Sequence, residues 1–327
     1  MPATTMRAAQ YDRFGPPDVL YVAEVPVPTL KPGQLLIRVH ATTVQGGEMS
    51  VRSGLTKRVS GSRLPRRIGT DFVGEIVATA EPGSDLEVGD HVWGCLPRDQ
   101  YVRGHFGSAS DFVAVPRDYV SLVPRGLDSV DAAALVVGVV ADRGLRQVAE
   151  LQAGESLLVR GAGGGVGILA VQLGKAWGAR VTALASAKQA DVLRSLGADE
   201  VLDYRSVSLE ELPRHDVIFD TVGSDLATMR RRLTPKGRMV TIALDVNHLL
   251  RSVLTVAGSA MYGGQRIRFF SHSPRTADMA ALTKLVEAGA LRPVVDTVYP
   301  LEEIAQAHRD QEGGGVLGKR VIKVVSD

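Results

Sequence analysis

The chain has 327 residues, of which 45% are hydrophobic and 23% are charged, and its formal net charge is +2. This is the composition of an ordinary globular protein that is long enough for two domains. No apolar stretch approaches the ~20 residues that a membrane span needs, and the first residues, Met1–Arg7, lack the apolar core of a signal peptide. We therefore expect a cytoplasmic protein with no membrane partner.

The use of cysteine, histidine and arginine narrows the possible functions further. The single cysteine, Cys95, excludes an internal disulfide and any four-cysteine zinc site. The seven histidines show none of the spacings that are typical of metal ligands. Two short basic runs, residues 63–67 and 230–232, stand without a recognised nucleic-acid-binding module. We expect neither a metal nor a nucleic acid as a partner.

The first part of the chain contains a series of short β-like segments. They lie at residues 35–39, 73–78, 91–93 and 111–115, and turn residues separate them. This pattern predicts an irregular β-barrel over residues 1–128.

The most informative stretch is an apolar run, residues 157–160, that enters a glycine cluster and continues as a helical pattern. The cluster fits an A-x-G-x-x-G frame, in which glycines let the backbone approach a diphosphate and the next helix directs its N–H groups at that anion. The frame predicts cofactor contacts at Ala162, Gly164, Gly165, Val166 and Gly167. An ordinary glycine-rich turn is the alternative.

The next strand-like segment, residues 179–185, completes a βαβ unit and indicates which cofactor is bound. Proteins of this kind that prefer NAD usually carry Asp or Glu after the second strand, where it holds the ribose hydroxyls. This chain has Ser186 and Lys188 there. A carboxylate would repel a 2′-phosphate, whereas a hydroxyl and an ammonium can bind it, so the sequence favours NADPH. The alternative is that Lys188 is a solvated surface charge.

Three further apolar segments, residues 200–204, 216–220 and 238–243, alternate with helical stretches. This alternation predicts a doubly wound parallel sheet, of the α/β class, over residues 129–267. Ligands on such sheets bind beyond the carboxyl ends of the strands, which makes Val222 and Ile242 candidate cofactor contacts. Both could equally be plain residues at the end of the sheet.

The last part of the chain combines helical and strand-like segments. Residues 277–288 and 301–309 predict helices, and residues 318–325 alternate like a strand. We expect this part to fold back on the first barrel, so that one domain comprises residues 1–128 and 268–327.

Several separated motifs, in this order, resemble those of the medium-chain dehydrogenase/reductase superfamily, and its zinc-free quinone oxidoreductase branch fits best. They are Gly69–Ile76, Gly89–Val92, the glycine turn with Ala170–Leu173, Leu196–Tyr204 and Gly318-Lys319. The resemblance implies a GroES-like barrel, a Rossmann domain, NADPH as the hydride donor and frequently a homodimer. It also places Lys188 and Tyr204 where NADPH-preferring members bind the 2′-phosphate, and it adds Lys319 to the predicted cofactor contacts.

Two positions differ from those of the zinc-dependent alcohol dehydrogenases in the same superfamily. Those enzymes carry a Cys near position 45 and Gly-His-Glu at 69–71, whereas this chain has Gln45 and Gly69-Thr70-Asp71. Without thiolate and imidazole no tetrahedral catalytic zinc is expected. We therefore expect reduction of a quinone or a carbonyl-activated alkene, small molecules whose accepting atom is already electrophilic.

The segment at residues 45–50 also departs from the pattern of many zinc-free members, which read Asn-Pro-x-Asp followed by Tyr. Ser50 falls where the Tyr would be, and Ser is a weaker acid with a shorter reach. Gln45, Glu48 and Ser50 are the candidate substrate contacts, with Gln45 and Ser50 as the candidate catalytic residues. In addition, Val140 replaces a Thr that family members direct at the nicotinamide.

Two other functions remain open at this point. One is a dedicated biosynthetic enoyl or ene reductase acting on one large intermediate, with the unusual 45–50 segment shaping its pocket. The other is a non-catalytic NADPH-binding sensor or structural protein, because a nucleotide-binding fold can persist after an active site is lost.

Overall fold

A computed structural model describes residues 4–80, 85–97, 107–261 and 264–325 of the chain. The chain divides into two compact units. Unit 1 comprises Met1–Val136, Ser273–Ala288 and Arg292–Asp327, and unit 2 comprises Val137–His272 and Gly289–Leu291.

The strands of the described residues are β1 Thr5–Tyr11, β2 Tyr21–Pro26, β3 Gln34–Thr43, β4 Arg66–Arg67, β5 Asp71–Thr79, β6 His91–Cys95, β7 Phe112–Pro116, β8 Val120–Leu122, β9 Ser156–Arg160, β10 Arg180–Ala185, β11 Glu200–Asp203, β12 His215–Asp220, β13 Leu233–Thr241, β14 Arg266–Phe269, β15 Val295–Pro300 and β16 Lys319–Lys323.

The α-helices are α1 Gly46–Arg52, α2 Lys57–Ser60, α3 Ser129–Leu135, α4 Gly138–Arg143, α5 Gly165–Ala176, α6 Ala190–Ser195, α7 Leu226–Arg231, α8 Leu249–Met261, α9 Thr276–Glu287 and α10 Ile304–Gly313. Single turns of 3-10 helix lie at Pro17–Val19, Arg117–Tyr119, Ala187–Gln189, Val246–His248 and Leu301–Glu303, and a π-helical turn lies at Gly144–Val148.

Unit 1 is built on a mostly antiparallel sheet in the order β15-β16-β3-β5-β6-β8, to which β7 adds on β3, and a smaller sheet in the order β2-β1-β4. Apolar residues of both sheets, including Ile37, Phe72 and Val92, form one buried core. The C-terminal strand β16 pairs with β3, so that Val321 lies opposite Thr43. This pairing brings the C-terminal part of the chain onto the barrel and next to the segment that follows β3.

Unit 2 is a six-stranded sheet in the order β11-β10-β9-β12-β13-β14, and every neighbouring pair is parallel. The chain runs outward from β9 to β11 and returns to β12, so the strand order reverses between β9 and β12. This is the strand order of a Rossmann fold, which binds its ligand where the order reverses. The predicted fold class, a GroES-like barrel with a doubly wound parallel sheet, is confirmed.

The structure differs from the sequence predictions mainly at the boundaries between the two domains. Helix α3 groups with unit 1, although the predicted division at 128/129 assigns it to the second domain. Strand β14 crosses the predicted division at 267/268, because its short, arginine-rich sequence gives little periodic signal. No helix in the described part of the chain is long and apolar enough to cross a membrane.

Candidate functional site

The glycine turn of unit 2 joins β9 to α5, and close backbone packing sets its shape. Gly161 has a φ of +76°, and a Cβ there would lie 2.2 Å from the Thr221 hydroxyl oxygen. A Cβ on Gly167 would lie 2.2 Å from the carbonyl oxygen of Gly161. Because only glycine leaves that space, the helix can begin directly against the turn.

The predicted phosphate contacts separate into two groups according to burial. Gly164, Gly165 and Val166 are partly exposed, whereas Ala162 and Gly167 are buried. The backbone N–H of Ala162 donates to Leu184 O at 3.2 Å, so that this residue is used to shape the turn rather than to meet a ligand. The turn lies where the frame places it, and Gly164, Gly165 and Val166 are accessible from outside, while their contact with a cofactor stays a prediction.

The outer side of the turn is suited to an anion. Gly164 is the N-cap of α5, and the helix has no side-chain cap there. A Cβ on Gly164 would find no heavy atom closer than Gly161 O at 3.5 Å, so its outer face is open. An uncapped helix start presents backbone N–H groups and the positive end of the helix dipole, which together suit a phosphate.

The ends of β10 and β11 bring together the residues predicted to bind a 2′-phosphate. Ser186 and Lys188 follow β10, and Tyr204 follows the neighbouring β11, with its N–H donating to Ala185 O at 3.1 Å. Lys188 and Tyr204 are exposed, whereas Ser186 is mostly buried. The Arg205 guanidinium lies 5.3 Å from the centre of the Tyr204 ring and adds a second positive charge. The sequence alone does not predict Arg205 as a cofactor contact, although a basic residue directly after Tyr204 could have indicated one.

Gln189, which the sequence alone also does not predict, supports the end of β10 where Ser186 and Lys188 lie. Its side-chain oxygen accepts a hydrogen bond from Ser186 N at 3.2 Å. Its amide also fills the space next to Gly163, where a Cβ would lie 2.3 Å from the Gln189 oxygen. Gln189 therefore ties the end of β10 to the glycine turn.

Val222 and Ile242 lie just beyond the carboxyl ends of β12 and β13, as the sequence predicts. Val222 is 46% exposed, and Ile242 is partly buried, with its N–H donating to Asp220 O at 3.1 Å. Both are at the edge of the sheet where Rossmann folds bind their ligands.

Gln45 of unit 1 lies in a polar cluster around the buried carboxylate of Asp71. The Gln45 amide nitrogen donates to Asp71 Oδ2 at 2.6 Å and to Thr43 Oγ1 at 3.2 Å. Asp71 also accepts hydrogen bonds from the Thr43 N–H at 3.1 Å and the Thr43 hydroxyl at 2.7 Å. Both amide N–H bonds of Gln45 are thus directed at protein acceptors. In this arrangement, Gln45 has no N–H left to donate to a substrate carbonyl.

Glu48 is the least accessible of the predicted substrate contacts, at 2% exposure. Its two carboxyl oxygens accept hydrogen bonds from Gln45 N at 3.2 Å and Gly69 N at 3.1 Å. The pKa of Glu48 is raised to about 8, mainly by burial and also by the nearby Asp71 charge, against the lowering by both backbone bonds and by Lys319. This geometry makes Glu48 a brace between α1 and the loop at Gly69, rather than a group that faces a ligand.

Ser50 lies on the opposite, accessible face of α1. The helical spacing places Ser50 with the exposed Gly46 and Gly47, whereas Glu48 and Arg52 lie on the buried face. A Cβ on either glycine would meet no atom within 4 Å, so this face has open space. Of the three predicted substrate residues, Glu48 is buried, whereas Gln45 and Ser50 are partly exposed, and Ser50 lies on the open side of α1.

Lys319, the predicted cofactor contact at the start of β16, belongs to the polar cluster of unit 1. Its ammonium is nearly buried and donates to Val44 O at 2.9 Å, next to Gln45 in the chain. Burial lowers the pKa of Lys319, and the charges of Asp71 and Glu48 oppose that shift. Cys95 lies opposite Asp71 in the β5–β6 register, and burial raises the pKa of its thiol, which therefore stays protonated.

The sequence and the fold are both similar to those of known oxidoreductases. Two family descriptions match, "Alcohol dehydrogenase GroES-like domain" over residues 31–125 and "Zinc-binding dehydrogenase" over residues 196–322. The human mitochondrial NAD(P)H oxidoreductase RTN4IP1 is 31% identical over 99% of this chain and 90% of its own length.

Two further similarities cover nearly the whole chain. A chloroplastic NADPH-dependent alkenal/one oxidoreductase of Arabidopsis thaliana is 32% identical over 97% of this chain and 79% of its own length. The solved structure of the quinone oxidoreductase from Coxiella burnetii aligns with a TM-score of 0.87 at 29% identity, covering 98% of this chain and 100% of that one.

Proposed function

Since the chain belongs to the medium-chain dehydrogenase/reductase superfamily, in its quinone oxidoreductase-like branch, we propose that it reduces a quinone or a carbonyl-activated alkene with NADPH and without zinc. It is an NADPH-dependent oxidoreductase that acts on a small molecule. The observation that carries the proposal is the open, uncapped start of α5 at the carboxyl end of the first Rossmann strand.

The cofactor end of the proposal rests on unit 2. The N–H groups at the start of α5 would hold the diphosphate, at Gly164, Gly165 and Val166. Lys188 and Tyr204 would bind the 2′-phosphate, since an ammonium and a phenol donate hydrogen bonds to phosphate oxygens. Val222 and Ile242 would line the cofactor from the neighbouring strands. When bound, NADPH supplies the hydride, and these residues bind and orient it.

The residues at the zinc positions of the related dehydrogenases do not fit a catalytic zinc ion. Gln45 stands in place of a cysteine, and Thr70 in place of a histidine. The Asp71 carboxylate already accepts hydrogen bonds from Thr43 and Gln45, and the Lys319 ammonium close by would repel a cation. The proposed reaction therefore has no step through zinc, and the acceptor must be electrophilic without a Lewis acid.

The substrate end of the proposal rests on the accessible face of α1. Ser50 is the proposed hydroxyl contact to the substrate, and Gln45 acts by holding the start of α1 against Asp71. Because a serine hydroxyl is a weak acid, we propose that solvent supplies the proton that completes the reduction. The protein's contribution is then mainly binding and orientation.

The open face at Gly46 and Gly47 favours a second candidate of the same reaction class, a dedicated ene reductase for one large intermediate. Two missing side chains leave room there for a bulky substrate. Substrate range distinguishes the two candidates, because an enzyme with a dedicated pocket would not reduce small generic quinones.

The test is a fluorescence titration with NADPH and with NADH, followed by cofactor oxidation with a panel of quinones, enones and enals. We expect selective NADPH binding, with turnover of at least one acceptor class. Selective binding without turnover of any small acceptor would instead support the dedicated reductase or a non-catalytic sensor. Absence of NADPH binding would refute the proposed function.

We also propose that the protein forms a homodimer through unit 2. Strand β14 is at one edge of the described sheet, and α8 packs beside it, with Ile267 N donating to Ser259 Oγ at 2.9 Å. Leu250, Leu254 and Met261 of this helix are exposed. An unpaired strand edge next to an apolar helix face suits pairing with the same edge of a second copy. Light scattering of the purified protein tests this, and a monomer would refute it.

The compartment stays a prediction. The sequence features favour the cytoplasm, whereas two of the relatives are named as mitochondrial and chloroplastic proteins.

A further inference from the structure

A buried ion pair joins the two central strands of the unit 2 sheet at their carboxyl ends. Arg160 is the last residue of β9, directly before the glycine turn, and Asp220 is the last residue of β12. The two are register partners, and Arg160 Nη1 lies 3.4 Å from Asp220 Oδ1. This is the place where the strand order reverses, so the pair lies directly beneath the expected cofactor position.

Asp220 organises the backbone that follows it. Its carboxylate is fully buried and accepts hydrogen bonds from Gly223 N at 2.9 Å, Val222 N at 3.3 Å and the Thr241 hydroxyl at 2.9 Å. One side chain thereby connects β12, β13 and the start of the loop at residues 221–225. A buried carboxylate with these partners holds the loop start in one conformation.

Arg160 holds the other end of the same loop. Its guanidinium donates to Ser224 O, to Ser224 Oγ at 3.0 Å and to Asp225 Oδ2 at 3.5 Å. Asp225 has a left-handed backbone with a φ of +52°, which is costly for a residue other than glycine. The bonds from Arg160 help to hold that conformation, because they fix both Ser224 and the Asp225 side chain.

We propose that Arg160 is a positioning residue for NADPH: by clamping the 221–225 loop from below, it keeps the exposed Val222 at the cofactor edge of the sheet. This inference rests on the proposed function and deepens it. Arg160 itself is nearly buried beneath the turn and acts through the loop. Nothing in the A-x-G-x-x-G frame marks this residue, because it precedes the first position of the frame.

The first variant is Arg160→Lys. Lysine keeps the positive charge next to Asp220, but it lacks the planar fork that reaches Asp220 and Ser224 together. We expect the KM for NADPH to rise about tenfold, which corresponds to the loss of one charge-assisted hydrogen bond. The value of kcat at saturating NADPH should stay within about twofold, because the chemistry itself is untouched. The dissociation constant from fluorescence titration should rise with the KM.

The matched control is Arg238→Lys. Arg238 lies in the same sheet and pairs with Glu155 at 2.6 Å, but at the opposite edge, where β9 begins. A loss of sheet stability alone would affect both variants alike. We expect Arg238→Lys to lower the melting temperature while leaving the KM for NADPH unchanged.

A second comparison separates loop positioning from charge neutralisation. Asp220→Asn alone disturbs the bonds from Val222 N and Gly223 N, so the double variant Arg160→Met/Asp220→Asn is compared with Asp220→Asn. If Arg160 only neutralises Asp220, these two variants have the same KM for NADPH. We expect a higher KM in the double variant, because it alone lacks the bonds to Ser224 and Asp225. An unchanged KM in Arg160→Lys, or equal KM values in Asp220→Asn and the double variant, would overturn the inference. Loss of NADPH binding in the wild type would overturn the proposed function instead.

Discussion

The glycine turn of unit 2 and the polar cluster of unit 1, which belong to the two proposed binding sites, are built in different ways. In the turn, backbone N–H groups form the proposed phosphate site, and the absence of side chains at Gly161 and Gly167 allows the close packing. In the cluster, side chains determine the structure, because the Thr43 hydroxyl and the Gln45 amide donate hydrogen bonds to the Asp71 carboxylate. A backbone site is therefore intolerant of added atoms, whereas a side-chain site is intolerant of lost hydrogen bonds.

The largest expected effect tests the backbone half of this comparison. Gly167→Ala would place a Cβ 2.2 Å from Gly161 O, a backbone atom that cannot move without opening the turn. We expect NADPH affinity to fall on the order of a hundredfold, measured by fluorescence titration. The control is Gly313→Ala at the end of α10, another helical glycine, whose Cβ would meet no atom within 4 Å. Equal NADPH affinity in both variants would contradict the close packing of the turn.

The next effect tests the side-chain half. Asp71→Asn keeps the shape of the residue but removes the charge to which Gln45 and Thr43 donate, next to the buried Lys319. We expect a loss of about 3 kcal/mol in the free energy of unfolding, typical of breaking a buried charged network. Denaturant titration measures this loss. At saturating cofactor, turnover should fall while the KM for NADPH stays near the wild-type value, because the cluster belongs to unit 1.

If Asp71→Asn weakens NADPH binding as much as it lowers turnover, the polar cluster and the glycine turn do not act independently, which would contradict the proposal. Gln45→Ala serves as the milder companion variant, since it removes one donor to Asp71 and leaves the carboxylate in place. It should lower turnover in the same direction but by less.

A smaller effect concerns the proposed 2′-phosphate contacts, Lys188 and Tyr204, which are side chains, unlike the backbone groups of the glycine turn. Lys188→Ala should weaken NADPH binding about tenfold while sparing NADH, since only the former carries the phosphate. Competitive titration with both cofactors measures this ratio. Lys236→Ala, a change of an exposed lysine that lies on β13, is the control for a general loss of positive charge. An equal loss of affinity for NADPH and NADH would show that Lys188 does not bind the 2′-phosphate.

These two kinds of site also explain what the sequence could and could not predict. The glycine turn and its strands follow from spacing, because a backbone conformation leaves a local signature of glycines and apolar runs. The pairing of Gln45 with Asp71 does not, because 26 positions separate them and only the fold makes them neighbours. Burial is equally invisible in the sequence, so the burial of Glu48 and Ala162, both predicted ligand contacts, could not be foreseen.

The last effect tests the role of Glu48 as a brace through the pH dependence of the free energy of unfolding. Burial raises the pKa of Glu48 from 4.5 to about 8, so the folded state keeps a proton that the unfolded state releases. The free energy of unfolding must therefore fall as the pH rises through this window, by at most about 1.4 kcal/mol per pH unit. His308, whose side chain lies 3.9 Å from Glu48, works in the opposite direction.

Burial lowers the pKa of His308 from 6.5 to about 3, so its contribution makes stability rise with pH and is complete by about pH 6.5. Between pH 6.5 and 8 the two effects no longer oppose each other, and Glu48 acts alone of the pair. We expect wild-type stability to decrease across this range and the decrease to be smaller in Glu48→Gln, as measured by urea denaturation at half-unit steps. Parallel curves for the two proteins would mean that Glu48 is already ionised in the fold. In that case its contacts with Gln45 N and Gly69 N would be those of a carboxylate.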